Sequence, residues 1–137
     1  MIYKKDITGA PENCTCTMIE IPNNDSDNDY GYQELDGTSD TASALRDTSE
    51  AQMHLGNAAA QNNLSFSESI LYMKSGYLRT AISKIIKTIT GTTVTSINLK
   101  GQVYQDTSTN ITSMVILADQ TNGLGVGTVI ELERYTP

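Results

Sequence analysis

The most constraining stretch of this chain runs from Val94 to Tyr104. Thr95, Ile97, Leu99, Gly101 and Val103 alternate without a break with Ser96, Asn98, Lys100, Gln102 and Tyr104. Successive side chains of a strand point to opposite faces, so this period of two defines a strand with one apolar and one polar side. One face is core and the other wet. A chain that hides its oily side chains this way must stack sheets, because a single sheet leaves one apolar face open.

Other segments follow the same rule. Cys14 to Ile21 is rich in Thr and apolar residues and is stopped by Pro22. Ile2 to Ile7 reads as an edge strand halted by Gly9-Ala10-Pro11, with residues 1–13 a candidate edge strand or partner-binding arm. Tyr30 to Leu35 reads as a short strand with Tyr30, Tyr32 and Glu34 on one face, followed by a turn at Asp36 to Asp40. Asp40 to Asn63 has few large apolar residues. It reads as a loop, a short strand near Gln52 to Leu55, and a second loop.

Ser65 to Thr90 supports two readings. Ser65 and Glu68 match a capping box, and Leu71, Leu78, Ile82, Ile85 and Ile89 share a helical stripe, which predicts an α+β protein with a helix over 65–90. Against this, Ser75-Gly76 interrupts the middle, and the β-branched residues from Thr80 to Thr93 pack better on a pleated surface. The favoured reading is two strands, Phe66 to Met73 and Leu78 to Ile89, joined at Lys74-Ser75-Gly76. Near the C-terminus, the apolar run Met114 to Ala118 leads through a polar turn and Gly123, Gly125 and Gly127 to the alternating Thr128 to Leu132. This is the pattern of a β-hairpin.

The C-terminal order, Ile111-Thr112-Ser113, apolar run, polar glycine-rich turn and alternating strand, resembles the closing hairpin of β-sandwich virion proteins of tailed bacteriophages. Ile19 to Asp25, Asn28 to Tyr32, Thr48-Ser49, Leu55-Gly56 and Phe66 to Glu68 resemble earlier parts of such domains in the same order. The resemblance spans Ile19 to Leu132, and a length of 137 residues suits one domain over residues 1–137. Its fold would be an all-β, jelly-roll-like antiparallel sandwich of about seven or eight strands. The resemblance implies a structural function: capsid decoration, head fibre or tail component, made in the host cytoplasm and assembled into a virion with other virion proteins. Only about eighteen residues precede Ile19, where such domains usually carry further strands, so an open sheet edge is expected. Pairing with another chain would cover it, either in a symmetric homo-oligomer, with a trimer favoured, or by docking onto a virion partner.

Composition narrows the partners. The 137 residues carry a net charge of −7, which disfavours nucleic acid and anionic membrane surfaces, both of which need clustered Lys and Arg. Met1 to Asp6 lacks the apolar core of a signal peptide, and no apolar run is long enough for a transmembrane helix.

The candidate sites are few. Asp25, Asp27 and Asp29 have the 1-3-5 spacing with which a calcium loop converges oxygen ligands on a hard cation. Gly31 falls at position 7 rather than the position 6 of an EF-hand, and a solvated acidic loop is the plainer alternative. No other cofactor is implied. Tyr30 and Tyr32 beside that loop are candidate rings for a glycan or a partner's pocket, as against simply covering the edge of the core. These two contacts make a carbohydrate-binding adhesion module, calcium-assisted or not, the alternative function. Cys14 and Cys16 lie too close along a strand for an unstrained bridge and read as small core residues. His54 sits in no catalytic motif and reads as structural, and Glu131 and Glu133 read as a solvated strand face. The sequence thus predicts a protein that is not an enzyme.

Overall fold

A computed structural model describes residues 2–4, 12–20, 29–38, 40–58, 64–88, 94–108, 110–118 and 128–135. It is all-β and antiparallel, a two-sheet sandwich that is not closed into a barrel. In chain order the strands are β1 (Ile2–Lys4), β2 (Glu12–Glu20), β3 (Tyr30–Thr38), β4 (Thr41–Glu50), β5 (Met53–Ala58), β6 (Leu64–Tyr72), β7 (Arg79–Thr88), β8 (Val94–Tyr104) and β9 (Ile111–Ala118). The larger sheet has six strands in the order β1-β6-β7-β8-β3-β4, and the smaller has three in the order β5-β2-β9.

The helix considered over 65–90 does not form. Its place is taken by the β6–β7 hairpin, in which Phe66 pairs with Ile86 and Tyr72 with Thr80. The Tyr77 N–H donates to the Lys74 carbonyl at 3.3 Å, and Gly76 has a φ of +80°. That positive φ at the third turn position reverses the chain, and an L side chain rarely adopts it. The β-branched residues flanking the break then pack as strands.

The segment Asp40 to Asn63 is more ordered than its composition suggests. It carries all of β4 and β5, and β3 runs to Thr38, so the turn is tighter than expected. β4 is exposed over most of its length because it forms the margin of the large sheet, and it needs few apolar residues. Backbone pairing with β3, rather than burial, holds it. β1 occupies the opposite margin, as an edge strand. β9 pairs with β2, and the turn expected to fold it back into a hairpin lies outside the described residues. Gly123, Gly125 and Gly127 lie outside the described residues. Residues 128–135 contain a single bridge position, at Val129, and Leu132 is 78 % exposed.

The core lies between the sheets. Tyr30, Tyr104 and Ala81 of the large sheet meet Met53 and Leu55 of β5, with Leu71, Ile111, Met114 and Ile116 packed around them. Tyr30 and Tyr104 stack with ring centroids 4.7 Å apart. Cys14 and Cys16 share one parity of β2, the middle strand of the small sheet.

Candidate functional site

The alternation in β8 is real, but its faces are the reverse of the expected ones. Ser96, Asn98, Lys100, Gln102 and Tyr104 are buried, with no more than 6 % exposure. Ile97 and Leu99 lie outside, 57 % and 43 % exposed. Neighbouring strands obey the same polarity. Ser65, Ser67, Ser83 and Glu34 are buried, whereas Phe66, Ile70, Ile82 and Leu35 are not.

The physical reason is β5. It lies at the end of the small sheet and packs across β6, β7, β8 and β3. An end strand has a ladder partner on one side only, and its other backbone groups need partners once they are buried. The polar row supplies them. Gln102 Nε2 donates to the His54 carbonyl at 2.8 Å, and Gln102 Oε1 accepts from the His54 N–H at 2.6 Å. The same amide donates to Ser83 Oγ at 2.9 Å, and Ser69 Oγ donates to the Leu55 carbonyl at 3.4 Å. An apolar row here would strand these groups.

Beside this clasp lies a charged cluster. The β3–β8 register sets Glu34 opposite Lys100 and Asp36 opposite Asn98. Lys100 Nζ lies 3.1 Å from Glu34 Oε2, 3.0 Å from His54 Nδ1 and 4.4 Å from the centroid of Tyr32. An ammonium can donate only to an unprotonated Nδ1, so the His54 ring proton belongs on Nε2. That nitrogen faces Glu50 at 3.9 Å. Asn98 Nδ2 donates to Asp36 Oδ1 at 2.6 Å and also to Glu34. Burial raises the Tyr32 phenol above its ordinary pKa, and Glu50, Glu34 and Asp47 push it the same way. Lys100 Nζ is thus engaged by a carboxylate, an imidazole and a ring face together. The arrangement suits a clasp between sheets.

The outward face carries the other half of the pattern. The rows Phe66–Ile86–Ile97 and Ile70–Ile82–Gly101 run across β6, β7 and β8. Leu35 and Leu99 are cross-strand partners, and beside them Lys84 pairs with Glu68 at 3.2 Å. Leu35, Phe66, Ile70, Ile82, Ile97 and Leu99 are 43–57 % exposed. Towards one end the face opens into a groove of about 650 Å³ bordered by Tyr72, Thr80, Gly101, Gln33, Arg46 and Gln105. A Cβ added at Gly101 would meet nothing within 4 Å, so this glycine leaves the floor of the groove open.

The structure describes three of the sequence-predicted site residues, Asp29, Tyr30 and Tyr32. Asp25 and Asp27 lie outside the described residues. Asp29 is tied to the end of β8: its carbonyl accepts from the Gln105 N–H at 3.1 Å, and its carboxylate accepts from the Gln105 side chain. Among the described residues, no group of three His, Cys, Asp or Glu could hold a metal ion. Tyr30 is core, 1 % exposed, which removes it as a contact residue. Tyr32 is half-buried against His54, with ring centroids 5.2 Å apart. His54 lies at the centre of the clasp. Glu34, Asp36, Asn98, Lys100 and Gln102 were not singled out. Their signal was two polar rows of equal length, Tyr32-Glu34-Asp36 and Asn98-Lys100-Gln102, with two acidic side chains in one and one basic side chain in the other.

No protein-family model, curated protein or solved structure matches this chain.

Proposed function

We propose that this chain is a non-enzymatic structural component of a tailed-phage virion, a capsid decoration, head fibre or tail component, that works through protein–protein contacts. The observation that carries this reading is the apolar outward face of the large sheet. Soluble monomers rarely expose a contiguous apolar field, and such fields mark interaction surfaces. Here the field is built on rigid paired strands, while the groups capable of acid–base chemistry, Lys100, His54 and Glu34, are engaged with one another between the sheets. The sequence resemblance favours the virion setting, and the open margins of the sheets favour a homo-oligomer. Assembly would take place in the host cytoplasm.

Phage particles encoded with this chain, purified on a density gradient and read by mass spectrometry, contain it at stoichiometric copy number. Its presence in the lysate but absence from the particles rejects the reading.

The groove beside Tyr72 favours a second reading, a carbohydrate-binding adhesion module. An exposed ring flanked by Arg46, Gln33 and Gln105 has the composition of a sugar platform. Binding on a glycan array that Tyr72→Ala abolishes supports it, and an array blank at high protein concentration rejects it.

A further inference from the structure

We propose that the occupant of the outward face is a second copy of this chain, packed face to face about a two-fold axis. The inference rests on the contact-based reading above, names the partner, and replaces the trimer expected from an open sheet edge with a dimer formed through the sheet face.

Three observations converge on it. The first is area. Half-exposed side chains of this size present on the order of 90 Å² each, so the six named above offer roughly 500 Å² of apolar surface. A standard interface covers about 800 Å² per partner, and homodimer interfaces are about 65 % apolar, which asks for about the same apolar area. The second is charge. The chain carries −7, so two copies repel over most of their surface. Among the described outward residues of β3, β6, β7 and β8, the ionic ones are Glu68 and Lys84, which cancel. This face is where like copies approach without penalty. The third is self-complementarity. A two-fold axis passing beside the Glu68–Lys84 pair sets Glu68 of one copy against Lys84 of the other, and the reverse, as an isologous interface demands. Arg46 of β4, the register partner of Gln33, adds one positive charge at the margin of the sheet and leaves the middle of the apolar field without net charge.

The test uses the full chain in light scattering coupled to size exclusion and in sedimentation equilibrium. Wild type is a dimer. Ile82→Glu places a carboxylate in the middle of the apolar field and weakens association at least ten-fold, with an unchanged circular dichroism spectrum because the side chain is exposed. Lys84→Glu and Glu68→Lys are each monomeric alone, and an equimolar mixture of the two restores the dimer. A wild-type monomer or trimer, or Lys84→Glu and Glu68→Lys proteins that dimerise as tightly as wild type, overturns the proposal. These outcomes are independent of particle association: a monomer found in the virion overturns the dimer alone, and a dimer missing from the virion overturns the virion reading alone.

Discussion

Lys100 and Glu34 are register partners on β8 and β3, and their side chains meet at 3.1 Å on the buried side of the sheet. One residue earlier on β8 and one later on β3, Leu99 and Leu35 pair on the exposed side. The sheet is therefore turned with its charges inward and its leucines outward. The inward row satisfies backbone groups of β5, and the outward row stays exposed.

Breaking the ion pair from one side should be costly. Lys100→Met leaves Glu34 buried without its cation, and the expected loss is about 3–5 kcal/mol. Replacing both partners, Glu34→Leu with Lys100→Met, should return stability to within about 1 kcal/mol of wild type, because no charge is then stranded. Urea unfolding of the three proteins measures both values. A double variant as unstable as the single one would show that the cluster does more than cancel its own charge.

Gln102 fastens one sheet to the other through both backbone groups of His54. Gln102→Met keeps the length of the side chain but removes its donor and acceptor. The expected cost is about 2–4 kcal/mol, the price of leaving buried polar groups unpaired. Faster hydrogen exchange at the His54 amide should accompany it. An exchange rate equal to wild type would mean that another group takes over the N–H.

Tyr30 and Tyr104 form the stacked centre of the core. Tyr30→Ala should cost about 3–5 kcal/mol, and Tyr30→Phe much less, since the ring carries the packing. Thermal melts rank the two. Loss of any binding activity in Tyr30→Ala would then report unfolding, which makes Tyr72 the better probe of the groove.

The Tyr32 phenol titrates higher in the folded chain than in the unfolded one, chiefly because it is buried. A group whose pKa rises on folding stabilises the fold below its unfolded value, about 10 for tyrosine. That contribution is lost as the pH climbs from there through the folded value. The fall in Tm between about pH 9 and about pH 11 should therefore be smaller in Tyr32→Phe than in wild type. Identical alkaline limbs would contradict the shift.

Strand placement was largely legible, because alternation, β-branched composition and Ser75-Gly76 are local signals. β8 coincides with the alternating stretch, and β6, β7, β2 and β5 fall close to their expected bounds. β4 was missed because a margin strand held by one ladder needs no apolar pattern. The apolar run Met114 to Ala118 was legible as a strand, but its pairing with β2, far away in sequence, leaves no local signal. The choice of faces was misread for a deeper reason. Periodicity shows that a strand has two unlike sides, but which side is covered depends on where the second sheet lands. Here that is the exposed edge of β5, which requires polar neighbours. The clasp at Lys100 was hidden for the same reason, since it exists only once β3, β5 and β8 are superposed.

The placement of β3 beside β8 bears on how the molecule is made. Tyr30 pairs with Tyr104, so a strand synthesised early waits for one synthesised late. Only hairpins such as β3–β4 and the β6–β7–β8 meander can form from neighbours in the chain. Ladders that join distant segments pay their loop-closure entropy before any contact rewards them, so refolding should be slow for a chain of this size. Until β8 leaves the ribosome, β3 has just one flank protected, and a nascent chain stalled at that point is the species most exposed to mispairing.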